Sequence, residues 1–362
     1  MNKKLLAVAI PAALFAGSAS AYEVVTSEKT TVALSGKVGA EYKVVDSYEE
    51  NATESTRKET NSVTEGTGTL KVEVKHALND TTDALGGISF DLESGDSLAA
   101  GGRYIGVSLV GGEHVLKYGE VDLVEGVGPV AIDYDELNDG ENVIRYTFSN
   151  DTVTVDTSFD DASTVETTKQ KLKAGTTELE DVVTKTDKAR VVAVSATFDV
   201  SNFEVSVGHN EAKNADTTKH QKGTGLTVKT DVAGFTVDAG YASLTTSEDK
   251  KDDVTKTGLK GGVEYVLDAL TLSGSYKVVD TDSSDVDEKT TELGAEYKLD
   301  KWTYNADLTL VDNGNADKQT AKLAAKYEFT DSFNVSASYE SVNADVATDD
   351  ETTYLVGAEL TW

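Results

Sequence analysis

The 362-residue chain sets 33 basic against 64 acidic residues, a formal net charge of −31, and contains no cysteine. Nucleic-acid binding is disfavoured, because a polyphosphate would meet a like-charged surface, and neither disulfides nor thiolate metal sites are available. Beyond the N-terminal segment no run approaches eighteen consecutive apolar residues, which excludes a membrane-spanning helix.

The first segment reads as a secretory signal. Lys3 and Lys4 precede a short apolar run, Leu5 to Phe15, and Ala19-Ser20-Ala21 offers a small-residue cleavage site, so residues 1–21 are expected to be removed and 22–362 to form a single domain. After it the chain repeats one pattern. Over 67–78, Leu70, Val72 and Val74 alternate with Lys71, Glu73 and Lys75; over 114–122, Leu116 and Tyr118 flank Lys117. Such two-residue spacing puts apolar side chains on one face of a strand and charge on the other. Strands are predicted near 30–45, 67–78, 83–93, 101–110 and 114–122. Arg103 falls on a strand whose faces cannot be told apart, since Ile105 and Val107 share its parity.

The connection 123–141 differs from the other long loops. It holds Pro129, glycines at 126, 128 and 140, an apolar patch (Val127, Val130, Ala131, Ile132), and the acids Asp133, Asp135, Glu136, Asp139 and Glu141. A solvent-bathed loop has no use for Val-Ala-Ile beside Tyr134. A loop folded inward packs its apolar part on the wall and turns its acids to water; the alternative is an ordinary outer loop with a small apolar cluster. If it folds inward, Lys71, Lys117 and Arg145 face it across the water column, Arg145 because Ile144, Tyr146 and Phe148 hold the other face. Cations opposite fixed acids create a transverse field at the narrowest point.

From Asn142 the chain is a run of hairpins. Leu259, Gly261, Val263, Tyr265 and Leu267 lead through Asp268-Ala269 to Leu270, Leu272 and Gly274; Leu293 to Leu299 lead through Asp300-Lys301 to Trp302 and Tyr304. Short turns alternate with long polar loops, and the aromatics sort into two bands, Phe198, Phe203, Phe235, Tyr265, Tyr297, Trp302, Tyr327, Phe329 and Phe333 near the turns, and Tyr42, Tyr241, Tyr276, Tyr339 and Tyr354 near the loops. The last strand, 352–362, ends on Trp362. The predicted fold is all-β, a transmembrane antiparallel up-and-down β-barrel of about eighteen strands, with sixteen as the alternative, short periplasmic turns, long extracellular loops and a water-filled lumen. The acidic stretches Tyr48 to Glu65, Glu178 to Asp187 and Asp280 to Glu288 are read as solvated outer loops; the last lacks the glycine a calcium loop needs, so no metal or cofactor is expected. His76, His114, His209 and His220 form no catalytic constellation with a G-x-S-x-G serine, so no enzyme is expected.

Thr31-Val-Ala-Leu-Ser-Gly-Lys-Val-Gly-Ala, Arg103-Tyr-Ile-Gly-Val, Lys117-Tyr-Gly, the Pro129–Glu141 loop in third position and the terminal aromatic strand together resemble the Gram-negative general (trimeric, non-specific) outer-membrane porins. That resemblance implies a homotrimer and passive diffusion of small hydrophilic solutes and ions. By that resemblance Asp133, Asp135 and Glu136 lie where the loop acids sit, and Arg103 and Arg145 lie on strands flanking the basic wall cluster; with Asp139 and Glu141 on the loop and Lys71 and Lys117 on the wall they make up the expected constriction. Trp362 still offers the barrel assembly machinery a terminal aromatic, and divalent cations bridging the acidic outer loops to lipopolysaccharide phosphates are a separate expectation from the loops' charge. The chain departs from the family pattern by ending in Trp362 rather than Phe, by carrying Glu120 after Tyr118-Gly119, and by having only four arginines, which points to cation preference. A substrate-selective channel is the second expectation, and eighteen strands would suit it.

Overall fold

A computed structural model of the chain describes residues 22–51, 54–64, 68–93, 97–130, 142–160, 164–172, 179–187, 190–213, 219–284, 286–314, 317–344 and 350–362. They form a closed, eighteen-stranded antiparallel β-barrel, so the larger of the two strand numbers holds.

The wall begins with β2 (Thr30–Asn51), preceded by a short β1 (Tyr22–Thr26). One side of β2 is shared: its lower half pairs with β4 (Gly68–Asn79) and its upper half with β3 (Glu54–Thr64), so β3 and β4 together fill one wall position. The chain then runs up and down through β5 (Thr82–Glu93), β6 (Ser97–Leu109), β7 (His114–Gly119), β8 (Val143–Ser149) and β9 (Val153–Asp160). Next comes a separate hairpin, β10 (Thr164–Leu172) with β11 (Leu179–Asp187), after which β12 (Arg190–Val200) rejoins β9. The regular series completes the wall: β13 (Phe203–Lys213), β14 (His220–Val232), β15 (Phe235–Ser247), β16 (Val254–Leu267), β17 (Leu270–Thr281), β18 (Glu288–Leu299), β19 (Trp302–Asp312), β20 (Asp317–Thr330), β21 (Phe333–Ala344) and β22 (Glu351–Thr361).

Closure comes from β22 on β2, in register from Lys37↔Thr361 to Ser47↔Glu351. Trp362 and Gly36 exchange backbone hydrogen bonds of 2.9 and 2.7 Å, and β1 continues that row on the lower end of β2. No edge is left, which is what hydrocarbon demands of a sheet.

The described side chains of the wall strands alternate between the outer face and the lumen away from the register slips. Ile105, Leu259 and Leu323 stand 68%, 59% and 57% exposed on the outer face, where lipid covers them. Four of the short connections are two-residue hairpins with a left-handed first residue, Ser201 (φ 61), Ala233 (φ 53), Asp268 (φ 50) and Asp300 (φ 52), the geometry that matches strand twist. The turn-side aromatics pack as a belt: Phe235 on Tyr265 at 4.4 Å, Trp302 on Tyr327 at 4.8 Å, Tyr327 on Phe329 at 4.7 Å. On the loop side Tyr339 meets Tyr354 at 5.2 Å.

Two loop expectations are corrected. Tyr48 to Glu65 holds the top of β2 and all of β3, and within Glu178 to Asp187 the residues Leu179–Asp187 form β11. Their Thr- and Val-rich sequences favour extended backbone, yet a hairpin extending beyond the bilayer has no lipid face to imprint an apolar alternation. Residues 1–21 lie outside the described residues, so the signal reading stays an expectation.

Lipid on one face and water on the other make a directional prediction. Leu293→Arg, on the outer face of β18, should destabilise the barrel by about 2–4 kcal/mol, whereas Thr271→Arg, inward and paired with Glu296, should be close to neutral. Denaturant unfolding in lipid vesicles reads both.

Candidate pore constriction

At the top of β7 the chain must leave the wall abruptly. Gly119 makes this possible: its φ is +135° and a Cβ there would collide with the Arg103 carbonyl. The ladder ends in two hydrogen bonds, Glu120 N–H to Arg103 O at 2.8 Å and Val121 N–H to Gly119 O at 3.0 Å.

Beyond Val121 the chain does not rise into solvent. Leu123 and Val124 are buried, and the Val124 N–H donates to Ser158 Oγ of β9 at 2.9 Å. Leu123 joins Val143, Val191, Ala212 and Leu244 in an apolar cluster, with Val121 and Val130 packed against it. Val127 lies on Gly208 of β13 and Gly225 of β14, Gly128 beside Tyr241 and Ala242 of β15, and Pro129 with Val130 on Gly258 of β16. By alternation Val143, Val191, Gly208, Gly225, Ala242 and Gly258 all point inward. The described part of the third long connection, residues 123–130, therefore lies along the inner wall from β8 to β16 and occupies part of the lumen, as its apolar composition predicted. Its acids, Asp133, Asp135, Glu136, Asp139 and Glu141, lie outside the described residues.

Three of the four expected wall cations come together. Lys71, Lys117 and Arg145 line one lumen recess with Glu73, Tyr104 and Glu120, a cavity of ≈ 540 Å³. Tyr104 donates its hydroxyl to Glu73 Oε1 at 2.9 Å, and Lys117 Nζ sits 4.5 Å from the centre of the Tyr104 ring. Arg145 ties the root of the loop to the wall, donating to the Asp122 carbonyl at 3.3 Å and to Asp156 Oδ1 at 3.4 Å, while Thr147 also donates to Asp156. Arg103 does not join them. It shares the outward face of Ile105, pairs with Ile88, and among the described residues forms one ion pair, with Glu120 at 3.9 Å. The other Glu120 carboxylate oxygen is buried and finds no hydrogen-bond partner among the described residues.

Sequence reasoning missed part of the site. Tyr104 and Asp156 are inward-facing partners of the cations. Beyond the loop, Gly128 and Pro129 border a second recess of ≈ 380 Å³ with Asp238, Lys260, Lys277 and Glu292. There Lys260 approaches Glu292 to 3.8 Å and Ser275 donates to it at 2.7 Å. Alternation alone marks all four as inward, but nothing in the sequence says that a loop rooted at β7 reaches β16.

Among the described residues no group of His, Cys, Asp and Glu could hold a metal ion. The histidines have other partners: His76 with Thr30 (2.7 Å), His114 with Tyr146 (2.8 Å), His209 with Thr224 (3.0 Å) and His220 with Glu211 (2.7 Å).

Comparison with known proteins agrees with this architecture. A family model described as Gram-negative porin matches residues 6–316. No curated protein matches the sequence. Similar solved structures include a loop-deletion mutant of OmpT, an outer membrane protein of Vibrio cholerae (13% identity over 92% of this chain and 100% of that one, TM-score 0.55). An anion-selective porin from Comamonas acidovorans is 12% identical over 92% and 100%, with TM-score 0.55. OpdQ of Pseudomonas aeruginosa is 13% identical over 91% and 97%, with TM-score 0.56. At such identities the likeness is one of fold.

If the recess cations set the local potential, Lys71→Glu with Lys117→Glu should move the reversal potential across a salt gradient toward cation preference. Arg103→Glu, on the outer face, should leave it unchanged. Screening over about 8–10 Å at ordinary salt confines the effect to charges beside the passage. An equal shift for Arg103→Glu would contradict the assignment of faces.

Proposed function

Because the chain belongs to the Gram-negative porin family, and so forms a channel in the outer membrane, we propose that it is a solute-selective passive channel rather than an unselective sieve. The observation that carries this reading is the recess of Lys71, Glu73, Tyr104, Lys117 and Arg145 on the wall of a lumen narrowed by an inward loop. A wide eighteen-stranded cylinder needs such a loop before its wall charges come within reach of a passing solute.

The recess offers ammonium and guanidinium donors beside carboxylates. It favours small solutes that carry charge, above all those with both signs, over neutral sugars. Tyr104 is its one aromatic, and the other rings of the barrel mostly face lipid, so stacking along an aromatic slide is not the mechanism. A solute sheds part of its water at the loop, exchanges it for these side chains, and leaves because each contact is weak. No energy source is involved, and direction follows the concentration gradient.

Unselective diffusion with cation preference is the second reading. The acid-rich 133–141 segment and the net charge of −31 favour it. The anion-selective Comamonas relative means that this fold does not by itself choose a sign. We further propose a homotrimer, for which one of the similar structures, a trimer form of OmpT, is a precedent. Assembly is proposed to proceed through the strand ending in Trp362, and the acidic outer rim to meet lipopolysaccharide phosphates through divalent cations.

Planar-bilayer recording of the purified protein separates the two readings. Concentration-dependent, saturable block of the ionic current by a zwitterionic amino acid, weakened several-fold in Lys117→Ala, is expected. Ohmic current untouched by any small charged solute would leave only the unselective pore.

A further inference from the structure

Glycine inside a strand costs roughly 0.5–1 kcal/mol relative to alanine, so a run of inward glycines calls for a cause. Gly208, Gly225 and Gly258 sit on three different wall strands, and none has a positive φ. Backbone conformation does not require glycine at any of them; space does. A Cβ on Gly225 would overlap the Val127 carbonyl. On Gly208 it would come within 2.6 Å of Val127 Cγ2, and on Gly258 within 2.5 Å of Val130 Cγ2 and 3.0 Å of Pro129 Cγ. Between them Gly128 takes φ +100° and fits against Ala242, where its own Cβ would approach the alanine methyl to 2.9 Å. Gly261 makes the contrast: three residues along β16 from Gly258 and facing out, its Cβ would meet nothing within 4 Å.

We infer that Gly208, Gly225 and Gly258 form a recessed seat that lets the 123–130 segment lie flush with the wall, and that these positioning residues set the width of the passage. The wall gives up side-chain volume so that the loop takes less of the lumen. Among the described residues the hold on the segment is mainly contact: beyond Arg145 and the Ser158 hydrogen bond at its root, it rests on the seat through Val127, Pro129 and Val130. Adding one methyl under a backbone carbonyl therefore has one outlet, which is to lift the loop toward the pore axis. The inference needs only that the protein is a channel, and it stands apart from the solute preference proposed above.

Restoring ordinary contact of about 3.5–4.0 Å requires a shift on the order of 1 Å at Gly208 and Gly258 and roughly twice that at Gly225, so a fall in conductance is expected. Single-channel recording of Gly225→Ala and Gly258→Ala should show that fall, with the outward Gly261→Ala unchanged. The native chain has no cysteine, so Val127→Cys provides a unique thiol beneath the loop. A membrane-impermeant maleimide should label it slowly, and several-fold faster once Gly225→Ala is added. Heat-modifiable migration on gels establishes that each variant is a folded barrel; should Gly225→Ala not fold, Gly208→Ala carries the same two readouts. Folded seat variants with unaltered conductance and unaltered labelling would overturn the inference, as would a raised conductance. Loss of solute block in the native protein would bear on selectivity and leave this result untouched.

Discussion

Everything in this molecule depends on one constraint: a peptide group in hydrocarbon has no water to bond, so each must find another peptide group. For a chain with no long apolar helix the remaining solution is a sheet without edges. That condition explains features that otherwise look unrelated. β22 returns to β2, Trp362 and Gly36 exchange hydrogen bonds at the seam, and β1 and β3 complete rows that β22 and β4 leave short. Once the cylinder is closed, alternation does the rest, since a residue faces either lipid or the lumen.

A cylinder of this circumference is too wide to discriminate among small solutes, and side chains projecting from its wall do not by themselves reach across it. Narrowing has to come from a connection that enters the lumen. Such a segment carries peptide groups of its own, yet most of its path lies beside water, so only its apolar side needs a dry partner. Leu123, Val127, Pro129 and Val130 supply that side, and a strip of glycine and alanine on β13 to β16 receives it. Loop and wall are therefore one design read from two places in the sequence.

The degree to which this was legible obeys the same physics. Strands between lipid and water carry a period-two imprint, and the turns read at Asp268-Ala269 and Asp300-Lys301 fall between β16 and β17 and between β18 and β19. The inward loop was legible because Val-Ala-Ile and Pro129 make no sense in solvent. Hairpins beyond the bilayer, β3 and the β10–β11 pair, have no lipid face and left no imprint. Arg103 was ambiguous for a local reason: a cation shares its parity with the apolar Ile105 and Val107, and the register slip of β5 on β6 between Ser89 and Phe90, which makes Gly101 an extra residue, keeps the parity of the residues before it from deciding between the faces. Tyr104, one step along, turns inward to Glu73 while Arg103 turns out. The partners of the loop on β14 to β16 were invisible because nothing local encodes how far a loop reaches across a barrel.

The charges of the lumen take little part in holding the barrel together. Lys75 with Asp83, Lys260 with Glu292 and Lys277 with Glu288 are all partly solvated pairs, a class worth at most about 1 kcal/mol each. The interstrand ladder and the lipid face carry the stability, and neither depends on which charge points inward. Selectivity can therefore change at Lys71, Lys117 or Lys260 with little cost to the fold. The loop root is the exception. Arg145 both lines the recess and holds the Asp122 carbonyl against Asp156. There the geometry of the passage and the charge within it are set by the same side chain and cannot vary independently.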